Sequence, residues 1–94
     1  IIIDPGFGFA KTREQNFKLL SDLELLHAHQ VPILAGVSRK SMIYKTLDIT
    51  AQEALNGTTA LHMACLLKGA KILRVHDVKE AVETIQLYKE IPIN

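Results

Sequence analysis

A single cysteine, Cys65, stands among the 94 residues, so no disulfide can form within the chain; it reads as a core position, and its isolation suits a reducing cytoplasm. Five glycines and three prolines are too few for a fibrous or low-complexity chain. No apolar run approaches the roughly 18 residues of a membrane-spanning helix, so no membrane is expected as a partner, and Ile1-Ile2-Ile3 is too short for the apolar centre of a signal peptide. Charge of one sign is lacking as well. Eleven Lys and Arg against ten Asp and Glu leave a net +1, with the cations scattered, so nucleic acid finds no electrostatic footprint. What remains is an ordinary globular composition, 48% hydrophobic, of a length that supports one small domain over residues 1–94. The chain opens without Met inside an apolar run, which predicts that it is a portion of a longer protein.

Apolar runs and helical stripes alternate along it. Ile1 to Ile3 reads as the end of a strand, broken by the turn-forming Asp4-Pro5-Gly6-Phe7-Gly8. Thr12 and Gln15 stand at capping-box spacing, and Leu19, Leu23 and Leu26 recur at helical intervals, predicting one helix from Thr12 to Gln30. Val31 to Val37 is apolar without alternation, as in a strand covered on both faces of a parallel sheet. Ser38 to Ser41 forms a loop and opens a short helix. Thr50 and Glu53 box a longer one reaching Lys68, Gly69 stops it, and Gly57 within it marks a close helix contact. Lys71 to Val75 gives a third strand, and Asp77 caps a last helix striped by Val78, Ala81, Val82, Ile85 and Tyr88. The pattern is βαβαβα, about three eighths of a (β/α)8 barrel, with a doubly wound sheet as the alternative.

In either architecture the loops after the strands carry the chemistry. They hold Asp4, Lys40, Arg74, His76 and the hydroxyls of Ser38 and Ser41, each beside a helix start whose free N–H groups favour anions. A small, flat, anionic ligand follows. Blander roles stay open: Asp4 as a turn-former, Ser41 as a helix cap, Arg39 and Lys40 as solvated surface. Arg74 is harder to dismiss, because a guanidinium at the end of an apolar strand needs an anionic partner. Gly6-Phe7-Gly8 is no dinucleotide fingerprint, since Lys11 stands where its third Gly belongs. His27 and His29 fall at an exposed helix end, His62 reads as packing, and no Cys/His spacing suggests zinc.

Asp4-Pro5-Gly6-Phe7-Gly8-Phe9-Ala10-Lys11, Gly36-Val37-Ser38-Arg39-Lys40-Ser41 and Arg74-Val75-His76-Asp77-Val78 together resemble, in order and spacing, the last three strand-end motifs of the dihydropteroate synthase family. The resemblance implies the C-terminal three βα units of a (β/α)8 barrel and an enzyme, a transferase of folate biosynthesis that joins a pterin pyrophosphate to p-aminobenzoate. It implies a pterin site of Asp4, Lys40 and Arg74. Arg74 and His76 would hold the pyrophosphate, and Phe9, Arg39 and Ser41 would receive p-aminobenzoate or a sulfonamide; Lys40, Arg74 and His76 would be the catalytic group. A magnesium ion is implied too, with no ligand in this chain and its asparagine expected upstream of Ile1, as is a homodimer formed through the last helices.

Two departures stand out: Phe7 where the family more often has a small or aliphatic residue, and Ala10 where it more often has Gly. Two other readings compete. A corrinoid-dependent pterin-binding methyltransferase has no pyrophosphate for Arg74 and His76 to hold, and a noncatalytic pterin- or phosphate-binding homologue would differ only in segments that precede Ile1.

Overall fold

The computed structural model describes residues 1–92. Its elements run α1 (Arg13–Ser21), a 3-10 turn (Leu23–His29), β1 (Leu34–Ala35), α2 (Ser41–Leu47), a second 3-10 turn (Ala51–Glu53), α3 (Leu55–Leu67), β2 (Ile72–Leu73) and α4 (Val78–Glu90). β1 and β2 pair in parallel, Leu34 with Ile72 and Ala35 with Leu73, and Ile3 forms a parallel bridge to Ile33 on the other side of β1. The chain is therefore α/β, with the segment around Ile3, then β1, then β2 laid side by side.

The strands are shorter than the apolar runs predict. Pro32 has no N–H to give. At the other end of β1 the β1–β2 ladder closes with the bond from Arg74 N–H to the Ala35 carbonyl, 3.1 Å, while the Gly36 carbonyl, turned to the opposite side of the strand, accepts the Lys40 ammonium at 2.6 Å. Ile33, Ala35 and Val37 are fully buried beneath the helices, whereas Leu34 between them is partly exposed on the opposite face. Ile2 and Ile72 leave that face apolar and partly open as well. The double-sided burial predicted for Val31 to Val37 is thus met on one side only.

The helix predicted from Thr12 to Gln30 is two pieces. Its start is as expected: Gln15 N–H donates to Thr12 Oγ1 at 3.1 Å, and Thr12 N–H donates to Gln15 Oε1 at 2.8 Å. It ends at Ser21 because Asp22, a weak helix former with its charge at the unfavourable end of the dipole, leaves the helical path. The tighter 3-10 winding that follows buries Leu23 completely and leaves Leu25 exposed. Thr50 and Glu53 are joined as expected, the carboxylate accepting from the Thr50 amide and hydroxyl at 3.1 Å each, but they close the short turn Ala51–Glu53 rather than α3.

Gly57 is where α3 crosses α2: a Cβ there would lie 2.5 Å from Ile43 Cγ2 and 3.1 Å from Leu47 Cδ1. Gly69, at φ +102, ends α3 one residue past its cap and lies against the His27 ring. α3 packs along α4 through Ala81 and Thr84, both buried. Val78 and Val82, assigned to the same apolar stripe from the sequence, are instead exposed, since the buried arc of α4 is rotated toward Thr84. Cys65 is core, and burial pushes its thiol up to about 12, which leaves it unreactive.

Ala10 sits in the left-handed region at φ 51. Glycine occupies that region without a steric cost, which accounts physically for its frequency there in the resembling family. Ala10→Gly is expected to stabilise the full-length protein by about 0.5–1 kcal/mol, the relief of left-handed strain exceeding the added freedom of the unfolded chain. Denaturant unfolding that shows no gain would mean the strain is relieved elsewhere in the loop.

Candidate functional site

The three loops at the carboxyl ends of the parallel segments meet on the open face of the sheet. Residues at the same level of neighbouring parallel strands point the same way, so Gly36 and Arg74, one step beyond Ala35 and Leu73, share that face. Arg74 lies flat across β1, directly over Gly36. A Cβ at Gly36 would come within 2.8 Å of the guanidinium Nη2 and 3.3 Å of Cζ. The missing side chain is what lets Arg74 reach Asp4, whose Oδ2 is 3.5 Å from Nη1. Asp4 also plays the turn-forming part, its Oδ1 accepting the Gly6 N–H at 2.9 Å.

Lys40 is the hub. Its ammonium donates to the carbonyls of Phe7 (2.9 Å) and Gly36 (2.6 Å), which ties the first loop to the second, and it stands 5.6 Å from the centre of the Phe9 ring. Partial burial, then the charge of Arg74, lower its pKa, with Asp4 working in the opposite direction. Two clefts share this lysine. One, about 230 Å³, is lined by Gly36, Ser38, Lys40, Arg74, Val75 and His76. The other, about 290 Å³, lies between the exposed Phe9 ring, Arg39, Lys40, Ser41 and Tyr44. The first offers cations and hydrogen-bond donors, the second an aromatic wall and the start of α2.

Ser41 is the first helical residue of α2, and Lys40 occupies the cap position without a side-chain capping bond. The reading of Ser41 as a mere cap is thereby set aside. His76 lies on the first cleft with its Nδ1 2.7 Å from Ser38 Oγ. Phe7, the departure from the resembling family, is buried in the core at the base of the second cleft, whose lining it joins.

The structure corrects the sequence on Asp77. It stands at the cap of α4, but its carboxylate makes no capping bond. Both oxygens instead receive Arg39, Nε to Oδ2 at 2.9 Å and Nη2 to Oδ1 at 3.0 Å. Arg39 Nη1 donates further to the carbonyls of Ala51 and Gln52, at 2.7 and 2.9 Å. The hydrogen bond from Arg39 pulls the Asp77 carboxyl below its usual range and raises the guanidinium in turn. Arg39 is therefore a clamp rather than solvated surface, and only its stem remains for the second cleft. Its backbone sits at φ 53, a strained turn held by the Thr58 hydroxyl, which accepts the Arg39 N–H at 2.9 Å from inside α3. That turn sends Lys40 one way and Ser41 the other.

Asn16 is a second support that the sequence does not announce. Buried on α1, it accepts the Gly8 N–H at 2.8 Å and donates to the Thr12 carbonyl at 3.0 Å, fixing the Phe7–Phe9 loop. His62 is buried in α3, its Nε2 without a partner among the described residues; burial lowers its pKa and keeps it neutral. An apolar groove between α1, α2 and α3, around Phe17, Met42 and Leu61, has no polar group to orient a ligand. Among the described residues no three His, Cys, Asp or Glu side chains converge on a metal position, and no helix is long and apolar enough to cross a membrane.

The model of the family described as pterin binding enzyme matches residues 1–76. The dihydropteroate synthase of Escherichia coli K12 is 44% identical over 87 residues, 93% of this chain and 31% of its own length. Among solved structures, the Yersinia pestis dihydropteroate synthase in complex with a sulfonamide drug superposes at a TM-score of 0.91 with 42% identity, over 94% of this chain and 32% of that one. A Coxiella burnetii dihydropteroate synthase in complex with pteroic acid does so at 0.91 with 41% identity, over 95% and 34%. The chain spans about a third of the length of these relatives.

Proposed function

The chain belongs to the pterin binding enzymes, and from this we propose that it is the C-terminal, substrate-holding portion of a dihydropteroate synthase, forming the last three βα units of a (β/α)8 barrel. The parallel order of Ile3, β1 and β2 and the open apolar face at Ile2, Leu34 and Ile72 suit one sector of a barrel wall. The observation that carries the functional reading is Lys40, shared by a cleft of cations and donors and a cleft with an aromatic wall, as the joining of two different substrates requires.

In this reading Asp4 receives the paired N–H donors of the pterin edge, a geometry that a carboxylate meets with two hydrogen bonds. Lys40 meets the pterin's carbonyl side. Arg74 covers the pterin face with its planar guanidinium and turns its remaining donors to the pyrophosphate beside His76. p-Aminobenzoate stands along Phe9 and the stem of Arg39, with its carboxylate at Ser41 and the first amides of α2. Its amine attacks the pterin methylene carbon, the carbon–oxygen bond to pyrophosphate breaks, and the growing negative charge on the leaving group falls on Arg74 and His76.

Magnesium would add countercharge to the pyrophosphate. We assign the ion's ligand to residues outside this chain. A homodimer through α3 and α4 and a cytoplasmic location complete the proposal; Leu67, Val78 and Val82 leave exposed apolar side chains on those helices. The methyltransferase reading leaves Arg74 and His76 without an anion to hold.

The test is steady-state kinetics on the full-length protein with Ser41 replaced by Ile. The bulk added at the start of α2 is expected to raise the KM for p-aminobenzoate and the inhibition constant for a sulfonamide together, each on the order of 10-fold. If both constants stay as they were, the acceptor pocket lies elsewhere.

A further inference from the structure

Ser38 is 4% exposed, and its hydroxyl has two hydrogen-bond partners among the described residues, both in His76. The His76 backbone N–H donates to Oγ at 3.2 Å, and the ring Nδ1 lies 2.7 Å from the same oxygen. A hydroxyl has one proton to give. If Nδ1 carried a hydrogen, Oγ would accept twice and its own proton would find no acceptor among the described residues, a costly arrangement for a side chain so little exposed. A ring protonated on both nitrogens meets the same objection. Only when Ser38 Oγ–H donates to a bare Nδ1 are all three groups satisfied.

We infer that Ser38 is a positioning residue that fixes His76 as the neutral tautomer with its hydrogen on Nε2, so that the imidazole meets the anion in its cleft as a hydrogen-bond donor rather than as a third positive charge. The cleft already holds Lys40 and Arg74, against one carboxylate, Asp4. A neutral donor completes the coordination of a phosphate oxygen without adding to the repulsion between those cations, and its direction is set from behind by a buried hydroxyl, as an outer partner sets the tautomer of a histidine ligand. Only the identity of the anion, the pyrophosphate of a pterin substrate, rests on the function proposed above. The tautomer rests on Ser38 and His76 alone.

Nitrogen-15 spectra of histidine-labelled full-length protein, with His76 assigned through His76→Gln, read the tautomer directly and without substrate. The expected result is the Nε2–H pattern in the wild type, a mixture with a measurable Nδ1–H share in Ser38→Ala, and return of the wild-type pattern in Ser38→Thr. Titration with inorganic pyrophosphate should show about 10-fold weaker binding in Ser38→Ala, recovered in Ser38→Thr, while the KM for p-aminobenzoate stays as in the wild type. An Nδ1–H or doubly protonated ring in the wild type overturns the inference, and this spectrum decides even if Ser38→Ala does not fold. A Ser38→Ala variant that weakens both substrates equally also overturns it, since that marks a merely structural hydroxyl. Failure of the wild type to make dihydropteroate, with the tautomer as expected, would sink the proposed function and leave the positioning role standing.

Discussion

Replacing Arg74 by lysine in the full-length protein is expected to lower turnover on the order of 10²-fold, although the charge is kept. Arg74 works by its shape. It lies flat across the bare Cα of Gly36 and extends Nη1 toward Asp4 at 3.5 Å, leaving its other donors and its planar face for a ligand. An ammonium on a flexible stem offers a point charge and can neither stack on a ring nor fork between two acceptors. Gly36→Ala tests the same geometry from below, because a methyl group 2.8 Å from Nη2 must push the guanidinium off the strand. Both variants should lose turnover while keeping their fold by circular dichroism. Near-normal turnover in Arg74→Lys would remove the guanidinium from the reaction.

The second large effect is expected at Asp4, where Asn should weaken binding of the pterin pyrophosphate by about 10- to 150-fold, the loss of a charge-assisted hydrogen bond worth roughly 1.5–3 kcal/mol. Stability should hardly move. The Asp4–Arg74 pair is long and partly exposed, a kind of contact worth at most about 1 kcal/mol. The turn survives as well, since the amide oxygen of Asn can still accept the Gly6 N–H. Calorimetric titration beside a thermal melt separates the two effects. Unchanged pterin affinity would take Asp4 out of the site.

Features decided within a few residues were legible in the sequence. The Thr12–Gln15 box and the stop at Gly69 stand where local chemistry places them, and the bare Gly57 inside a helical run marked a close contact without showing its partner. Features decided by distant partners were not. Asp77 looks like a helix cap, and nothing nearby in the sequence shows that Arg39, 38 positions away, claims its carboxylate. Thr58 reads as one more residue of a helix, although its hydroxyl holds the strained turn at Arg39. The strands came out shorter than their apolar runs, and the carbonyl of Gly36, which an apolar pattern assigns to a strand, is held instead by Lys40 from four positions along the chain. Val78 and Val82 matched a stripe by spacing, while the buried arc was set by the way α4 meets α3. For the site, the residue types and their loops were readable. The division of Lys40 between two clefts required the fold.

The ion pair on the sheet's open face makes the site occupy itself while it waits. Asp4 and Arg74 partly neutralise each other, and a molecule that engages only one of them strips the other of its partner. A fragment carrying paired donors but no anion, or an anion without donors, therefore recovers half of an exchange. The two together should bind cooperatively, each tighter in the presence of the other, with no contact between them required. An inhibitor that links a donor edge to an acidic tail would gain more than the sum of its parts, and Gly36→Ala, by parting the pair beforehand, should abolish that surplus.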